Sequence, residues 1–417
     1  MNIQQIVLNN DKMVYDFTFV LPGFAPIPPG GYMVVFELSR YLTERGYNVL
    51  IIFLKRMNRN LYNFVKDKKL LDKIWSASLK SKIYNYFQNT ISTRFLISIF
   101  RKHPSYLKIM GFKLSTDSNS RMTGGFFSEF NFDNIDFLVR KGIPDRLHTR
   151  RIIATAWETS YFVDRFQGCK LKYYLVQNDE DNPAFSGELK NLAHRSYDLA
   201  LKKIVINKRM QERFFPEDPI KITVAAHVAG KVLKKPEERN NKVILMQIRE
   251  GADKGAEYAI EAARLIKTKR PDINIIGFGN YKQNLPEFIT HLGYVSNARY
   301  IELFNLASIF VLPSLVEGFS TPVLEAMSCG CVPVATKCGG PENFVEHQVN
   351  GVLVSIMDPQ GIADNVIWLL ENTDRRIEMA YRAIETSQNF SIDRMGNEMI
   401  DGILKYEEVN MANFPRS

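Results

Sequence analysis

Residues 312–336 read LPSLVEGFSTPVLEAMSCGCVPVAT, and the rest of the chain is best understood outward from them. The apolar run 310–312 predicts a buried strand that leaves through a loop and enters a helix. Pro322 suits the first helical position, Thr321 the cap before it, and Gly330 the residue just past the end. Glu325 then falls on the first turn. A reciprocal capping box under Thr321 would need Glu or Gln at 324, where the chain has Leu324, so Glu325 is left over for a ligand. Glu317 lies in the loop beside Gly318, whose missing side chain would let a ligand approach the backbone. Helix N-termini present unpaired N–H groups and partial positive charge, so the backbone of 318–323 is suited to a diphosphate with a carboxylate on either side.

Upstream, residues 243–271 (VILMQIREGADKGAEYAIEAARLIKTKRP) predict a strand ending at Arg249, then Lys254 at the start of an amphipathic helix that stops before Pro271. Two cations at the C-terminal edge of a parallel sheet stand where such folds bind ligands, and together they could neutralise a diphosphate. Near the start, residues 22–49 (PGFAPIPPGGYMVVFELSRYLTERGYNV) give a first strand, a Pro and Gly loop, and a helix whose first turn follows Gly30 and Gly31. That pair permits backbone contact with phosphate or sugar, although glycines in such loops also simply make the turn. Gly277 and Gly279 form a bare G-x-G, a weak signal without its third glycine.

Short apolar runs alternate with helical patterns along the whole chain, which predicts α/β architecture with parallel sheets. Strands are expected at 16–21, 48–54, 152–156, 172–177 and 203–206, then at 242–247, 272–276, 308–312, 332–335 and 352–354. Residues 215–241 contain three prolines and scattered charge and read as a domain connection, with the boundary near Phe214. The expected domains are 1–214 and 215–391, with 392–417 a terminal helix set apart by the polar break at 387–391. A chain of 417 residues exceeds one ordinary hydrophobic core.

The first 20 residues lack the basic start, long apolar run and cleavage site of a signal peptide, and four cysteines are too few for a disulfide framework. A reduced cytoplasmic location is therefore expected. The net charge is +9, and residues 55–110 carry 13 Lys or Arg against 2 Asp. Aromatic residues interleave with that charge, as on a surface that meets an anionic membrane; a solvated basic face with inward aromatic residues is the alternative. No nucleic-acid motif accompanies the charge, so no nucleic-acid partner is expected.

Together these residues resemble the GT-B glycosyltransferases, specifically the retaining family 4 group. Glu317 and Glu325 match its E-x7-E pattern, Arg249 and Lys254 its basic pair, and the stretch 328–335 its A-x-G-x-P-V-V passage. Gly293 and Val295, Pro313 and Ser314, and Asn350 and Gly351 agree in order and spacing. The resemblance implies two Rossmann-like domains facing a cleft, the first on the acceptor side, the second holding the nucleotide-sugar, and the final helix returning to the first. It implies that Glu325 accepts ribose hydroxyls and that Glu317 holds the transferred sugar. Gly318, Phe319, Ser320 and Thr321 would lie along sugar and phosphate, Arg249 and Lys254 would stabilise the departing diphosphate, and Tyr294 and Val295 would meet the base. Such reactions retain anomeric configuration and need no metal or other cofactor.

A narrower resemblance covers 156–166 (AWETSYFVDRF) and 171–185 (LKYYLVQNDEDNPAF), which look like passages of bacterial surface-glycan rhamnosyltransferases using dTDP-rhamnose, with Asn178 where that group has Asp. Rhamnose is therefore the leading donor sugar. Trp157 stands where many members carry a histidine facing the reacting carbon, and it or Glu158 would shape the sugar or acceptor side. The expected partners are a nucleotide-diphosphate sugar, a glycan or lipid-linked acceptor, and an anionic membrane surface met by 55–110. A sugar-nucleotide epimerase and a silent binding subunit are the alternatives, and the intact Glu317, Glu325, Arg249 and Lys254 argue against the silent subunit. The D-x-D of Asp179–Asp181 and the cysteines near 330 are assigned no metal.

Overall fold

The computed structural model describes residues 14–23, 30–54, 132, 134–140, 142–178, 188–226 and 232–411. The basic segment 55–110 and the triplet 179–181 lie outside the described residues. No helix among those described is long and apolar enough to cross a membrane.

Two sheets organise the chain. The first runs β3-β2-β1-β4-β5-β6-β7, formed by Phe17–Leu21 (β1), Val49–Leu54 (β2), Ile135–Arg140 (β3), Arg151–Ala154 (β4), Leu171–Val176 (β5), Lys202–Val205 (β6) and Ile220–Lys221 (β7). Every residue of FTFVL in β1 and VLIIFL in β2 is buried. Unbroken apolar runs of this kind belong to parallel strands covered on both faces, and β1 pairs in parallel with β2 and β4. The helices Gly30–Glu44 (α1), Trp157–Arg165 (α2) and Glu188–Arg195 (α3) connect its strands.

The second sheet runs β10-β9-β8-β11-β12-β13, from Asn240–Gln247 (β8), Asn274–Phe278 (β9), Ile289–His291 (β10), Ala307–Leu312 (β11), Val332–Thr336 (β12) and Val352–Val354 (β13). Its centre is β11, whose Ile309 sits level with Ile244 of β8 and Val332 of β12. Ala256–Lys269 (α5) turns Ala256, Ala259, Ala262, Ala263 and Ile266 inward, a helical spacing of small residues that brings it close to the strands. Pro359–Glu371 (α8) and Thr373–Ser387 (α9) complete this core with Ile362, Val366, Leu369 and Met379. The short helix Lys208–Arg213 (α4) precedes this sheet in the chain, and Ile392–Met411 (α10) lies along β7 with Gly402 against Ile220.

Three strands differ from the sequence expectation. β3 was not anticipated, β10 spans only three residues, and β7 is a two-residue strand inside the stretch read as a connection. Backbone pairing, rather than hydrophobic period, creates the last two. The compact units comprise the described residues of Met1–Val176 with Ser186–Ile204, and of Gln177–Phe185 with Val205–Ser417. The change of unit thus falls inside β6, ahead of Phe214, and Gln177 and Asn178 belong with the second unit.

One buried cation fastens two helices of the second unit. Arg239 is 7% exposed and donates to the Phe304 and Ala307 carbonyls at the end of Asn297–Leu306 (α6), and to Cys329 O at the end of Thr321–Ser328 (α7). Helix C-termini carry partial negative charge and unpaired carbonyls, which is what a guanidinium needs when no carboxylate is supplied. Burial pulls its pKa below the usual arginine value.

Candidate active site

The loop between β11 and α7 is held from three sides. Leu315 and Val316 donate backbone N–H groups to Asp253 O at 2.8 and 3.4 Å, and Glu317 N–H donates to Cys338 O at 2.9 Å. Asn207, which caps α4 through Met210 N–H, donates its Nδ2 to Gly318 O at 2.6 Å. The cap of α7 differs from expectation. Ser320 is the cap, in a left-handed conformation (φ 68, ψ 56), Thr321 is the first helical residue, and Pro322 is the second. Glu325 accordingly lies in the second turn. The Ser320 hydroxyl is buried without a hydrogen-bond partner at the mouth of the helix.

Gly318 serves a different need from the one read in the sequence. A Cβ there would stand 2.0 Å from Gln177 O, so the missing side chain makes room for the chain's own backbone. The neighbour is main chain and cannot swing away. Gly318→Ala is expected to cost about 1–3 kcal/mol in denaturant unfolding as the loop is displaced; unchanged stability would show that the loop tolerates the shift.

Lys254 and Glu317 form the charged centre. Lys254 Nζ lies 3.0 Å from Glu317 Oε1 and 3.0 Å from Asp253 Oδ2, all three side chains being 12–16% exposed. Ser314 Oγ donates to the same Glu317 oxygen at 2.8 Å. Burial draws the lysine pKa down, but Glu317 and Asp253 outweigh it, so the ammonium titrates above its ordinary range. Gly255, left-handed at φ 61, caps α5 immediately after this lysine, and a Cβ there would stand 2.1 Å from Pro313 O. That close approach is what lets the start of α5 meet the loop after β11. Arg249 follows the C-terminal end of β8, and its side chain lies against Gly279 just past β9, on the same edge of the sheet.

Glu325 is not spare, as its position in the sequence suggested. It is 6% exposed and its Oε2 accepts the Tyr300 hydroxyl at 2.9 Å. Burial first, then the Glu325 charge, raises the Tyr300 pKa well above the phenolic value. Tyr294, 61% exposed, and Val295 lead into α6, whose cap Ser296 accepts Arg299 N–H at 3.3 Å. The structure therefore brings Arg249, Lys254, Glu317, Glu325 and the start of α7 together at the C-terminal edge of the second sheet. Asp253, Ser314 and Tyr300 were not assigned roles from the sequence; an acid beside the lysine at 253 was the one available signal for the first.

The remaining candidates lie in the first unit. Gly30 and Gly31 belong to the first turn of α1 instead of preceding it. Trp157 opens α2 with its indole 4% exposed, and Glu158 follows. Burial pushes the Glu158 carboxyl from 4.5 up to about 7, against the opposing pull of its own backbone N–H. The folded pKa exceeds the unfolded one, so the associated stability is complete below about pH 4.5 and lost as pH rises through about 7. Glu158→Gln is expected to raise stability at pH 8 by about 2–3 kcal/mol and to change it little at pH 4. Denaturant titrations at the two pH values check this, and equal effects at both would refute it.

Residues 231–386 match the family model described as glycosyl transferases group 1. In structure the chain is similar to HepE of Anabaena in complex with UDP and glucose, with a TM-score of 0.59 and 15% identity over 94% of this chain and 100% of that one. The fold is GT-B. In sequence, the D-inositol 3-phosphate glycosyltransferase of Pseudarthrobacter chlorophenolicus is 31% identical over 151 residues, covering 33% of this chain and 36% of that protein. The N,N'-diacetylbacillosaminyl-diphospho-undecaprenol alpha-1,3-N-acetylgalactosaminyltransferase of Campylobacter jejuni is 26% identical over 231 residues, 53% of this chain and 57% of that one. The chain thus spans less than two thirds of the length of either sequence relative. In GT-B terms, the matched segment holds β8 to β13 and the whole charged cluster.

Proposed function

We propose that this chain is a glycosyltransferase that takes a hexose or deoxyhexose from a nucleotide-sugar held at the edge of the second sheet. The observation that carries the reading is the Lys254–Glu317 contact of 3.0 Å beside the start of α7. It sets a cation for a diphosphate and an acceptor for sugar hydroxyls within one ligand's reach. Lys254 and Arg249 would take up the charge that develops on the leaving diphosphate, the contribution that usually lowers such barriers most. Backbone N–H groups of the first turn of α7 and the Ser320 hydroxyl would add donors to the same phosphates. Glu317, fixed by Ser314, would hold the sugar, and Glu325 the ribose.

The resemblance to the family 4 group supports retention and a transfer that needs no metal, with Lys254 and Arg249 as the cations facing the diphosphate. Rhamnose remains the leading sugar on the strength of 156–166 and 171–185. The Anabaena structure holds UDP and glucose, and the name of the Campylobacter relative specifies a diphospho-undecaprenol substrate. Both support a nucleotide-sugar donor and a glycan or lipid-linked acceptor here. The basic segment 55–110 would bring the enzyme to an anionic membrane surface in the cytoplasm.

Calorimetric binding of UDP, GDP, dTDP and CMP, with Arg249→Ala and Glu325→Ala as controls, tests the donor site. The expected result is one nucleotide preferred and its binding lost in both variants; dTDP would favour rhamnose, and no binding to any would sink the reading. The anomeric configuration of the product by NMR, with and without chelator, tests retention and metal independence.

A further inference from the structure

We infer that Tyr300 is a positioning residue for nucleotide recognition, acting through Glu325 rather than on the ligand's phosphates; this rests on the reading of Glu325 as the ribose acceptor. The hydroxyl of Tyr300 donates to Glu325 Oε2 at 2.9 Å. Its ring is fixed by neighbours rather than by the helix alone. Phe304 meets it edge-on at 4.5 Å and Phe278 at 5.4 Å, and both pack on Phe310 of β11. A phenol clamped in this way offers one direction for its O–H, and the carboxylate must orient to receive it.

The geometry has a further consequence for specificity. Tyr300 lies one turn into α6, the helix that Tyr294 and Val295 enter, and Glu325 lies in α7. The hydrogen bond therefore ties the segment proposed to meet the base to the group proposed to meet the ribose. Arg239 fastens the opposite ends of the same two helices. Base and ribose recognition are thereby set on one frame, so a shift of either helix is felt by both.

The test is a double-mutant cycle in the full-length protein, read by calorimetric affinity for whichever nucleoside diphosphate of UDP, GDP, ADP and dTDP binds the wild type most tightly. Tyr300→Phe should weaken binding about five- to twentyfold, and should add nothing to a protein that already carries Glu325→Ala, which removes the acceptor of the Tyr300 hydroxyl. Its effect should multiply with that of Arg249→Ala, which acts on the phosphates. Kinetically, the loss should appear in the donor KM with kcat nearly unchanged. If Tyr300→Phe weakens binding equally with and without the Glu325 carboxylate, Tyr300 supports the fold and the inference fails. If Glu325→Ala weakens binding but Tyr300→Phe does not, the inference fails and the donor-site reading stands. If Glu325→Ala has no effect, both fall together.

Discussion

On the proposed function, replacing Lys254 by alanine is expected to slow sugar transfer about a thousandfold at saturating donor. Two effects combine. The variant removes one of the two cations proposed to face the leaving diphosphate, and it strands Glu317 and Asp253, whose oxygens both lie 3.0 Å from the lost ammonium. Two partly buried carboxylates left without the ammonium between them repel, so Glu317 would move as well. Lys254→Arg keeps the charge but exchanges a compact ammonium for a planar fork, which cannot sit between two carboxylates and Ser314 in the same way. An intermediate loss of about tenfold is expected for it. Initial rates of nucleotide release with donor and acceptor check both. A Lys254→Ala enzyme within about threefold of wild type would mean that this ion pair only braces the loop.

The largest loss of stability is expected at Arg239. Arg239→Ala would leave the carbonyls of Phe304, Ala307 and Cys329 buried and without their guanidinium partner. Unsatisfied buried acceptors cost about 1–3 kcal/mol each, and relaxation recovers part of that, so a loss of about 3–5 kcal/mol is expected. Arg239→Met separates the contribution of the stem from that of the hydrogen bonds, because it fills the space and restores no donor. Denaturant unfolding of the two variants gives the comparison, and nearly equal losses are expected. A methionine variant as stable as wild type would show that packing, not the bonding of helix ends, is what Arg239 provides.

Much of the second sheet is legible in the sequence because its long strands are continuous apolar runs between turn residues. β11 and β12 are found nearly to the residue, and β13 at its observed limits. The strands that escape are those whose existence depends on a neighbour. Ile289–His291 is too short for any period to register, and it is a strand because β9 offers it a parallel edge. Within the site, residue types near a helix start identify Glu317, Glu325, Arg249 and Lys254. Their partners are less visible. Tyr300 in α6 reads as one more aromatic residue on an apolar face, and nothing local reveals that its hydroxyl meets Glu325. Gly318 stands out in the sequence by its type, yet the close approach that requires it lies at Gln177, far back in the chain. Local chemistry names the candidates, and long-range packing decides what each glycine or tyrosine is for.

The wedge of Gln177 into the notch at Gly318 also limits how this protein can be recombined. A hybrid that joined the first half of another chain of this fold to the second half of this one at the start of β6 would bring in a foreign residue pair opposite Gly318, although Gln177 and Asn178 belong to the second compact unit. The second unit is therefore discontinuous in sequence. A swap that respects it must carry two crossovers, so that the pair at 177–178 travels with the loop it supports.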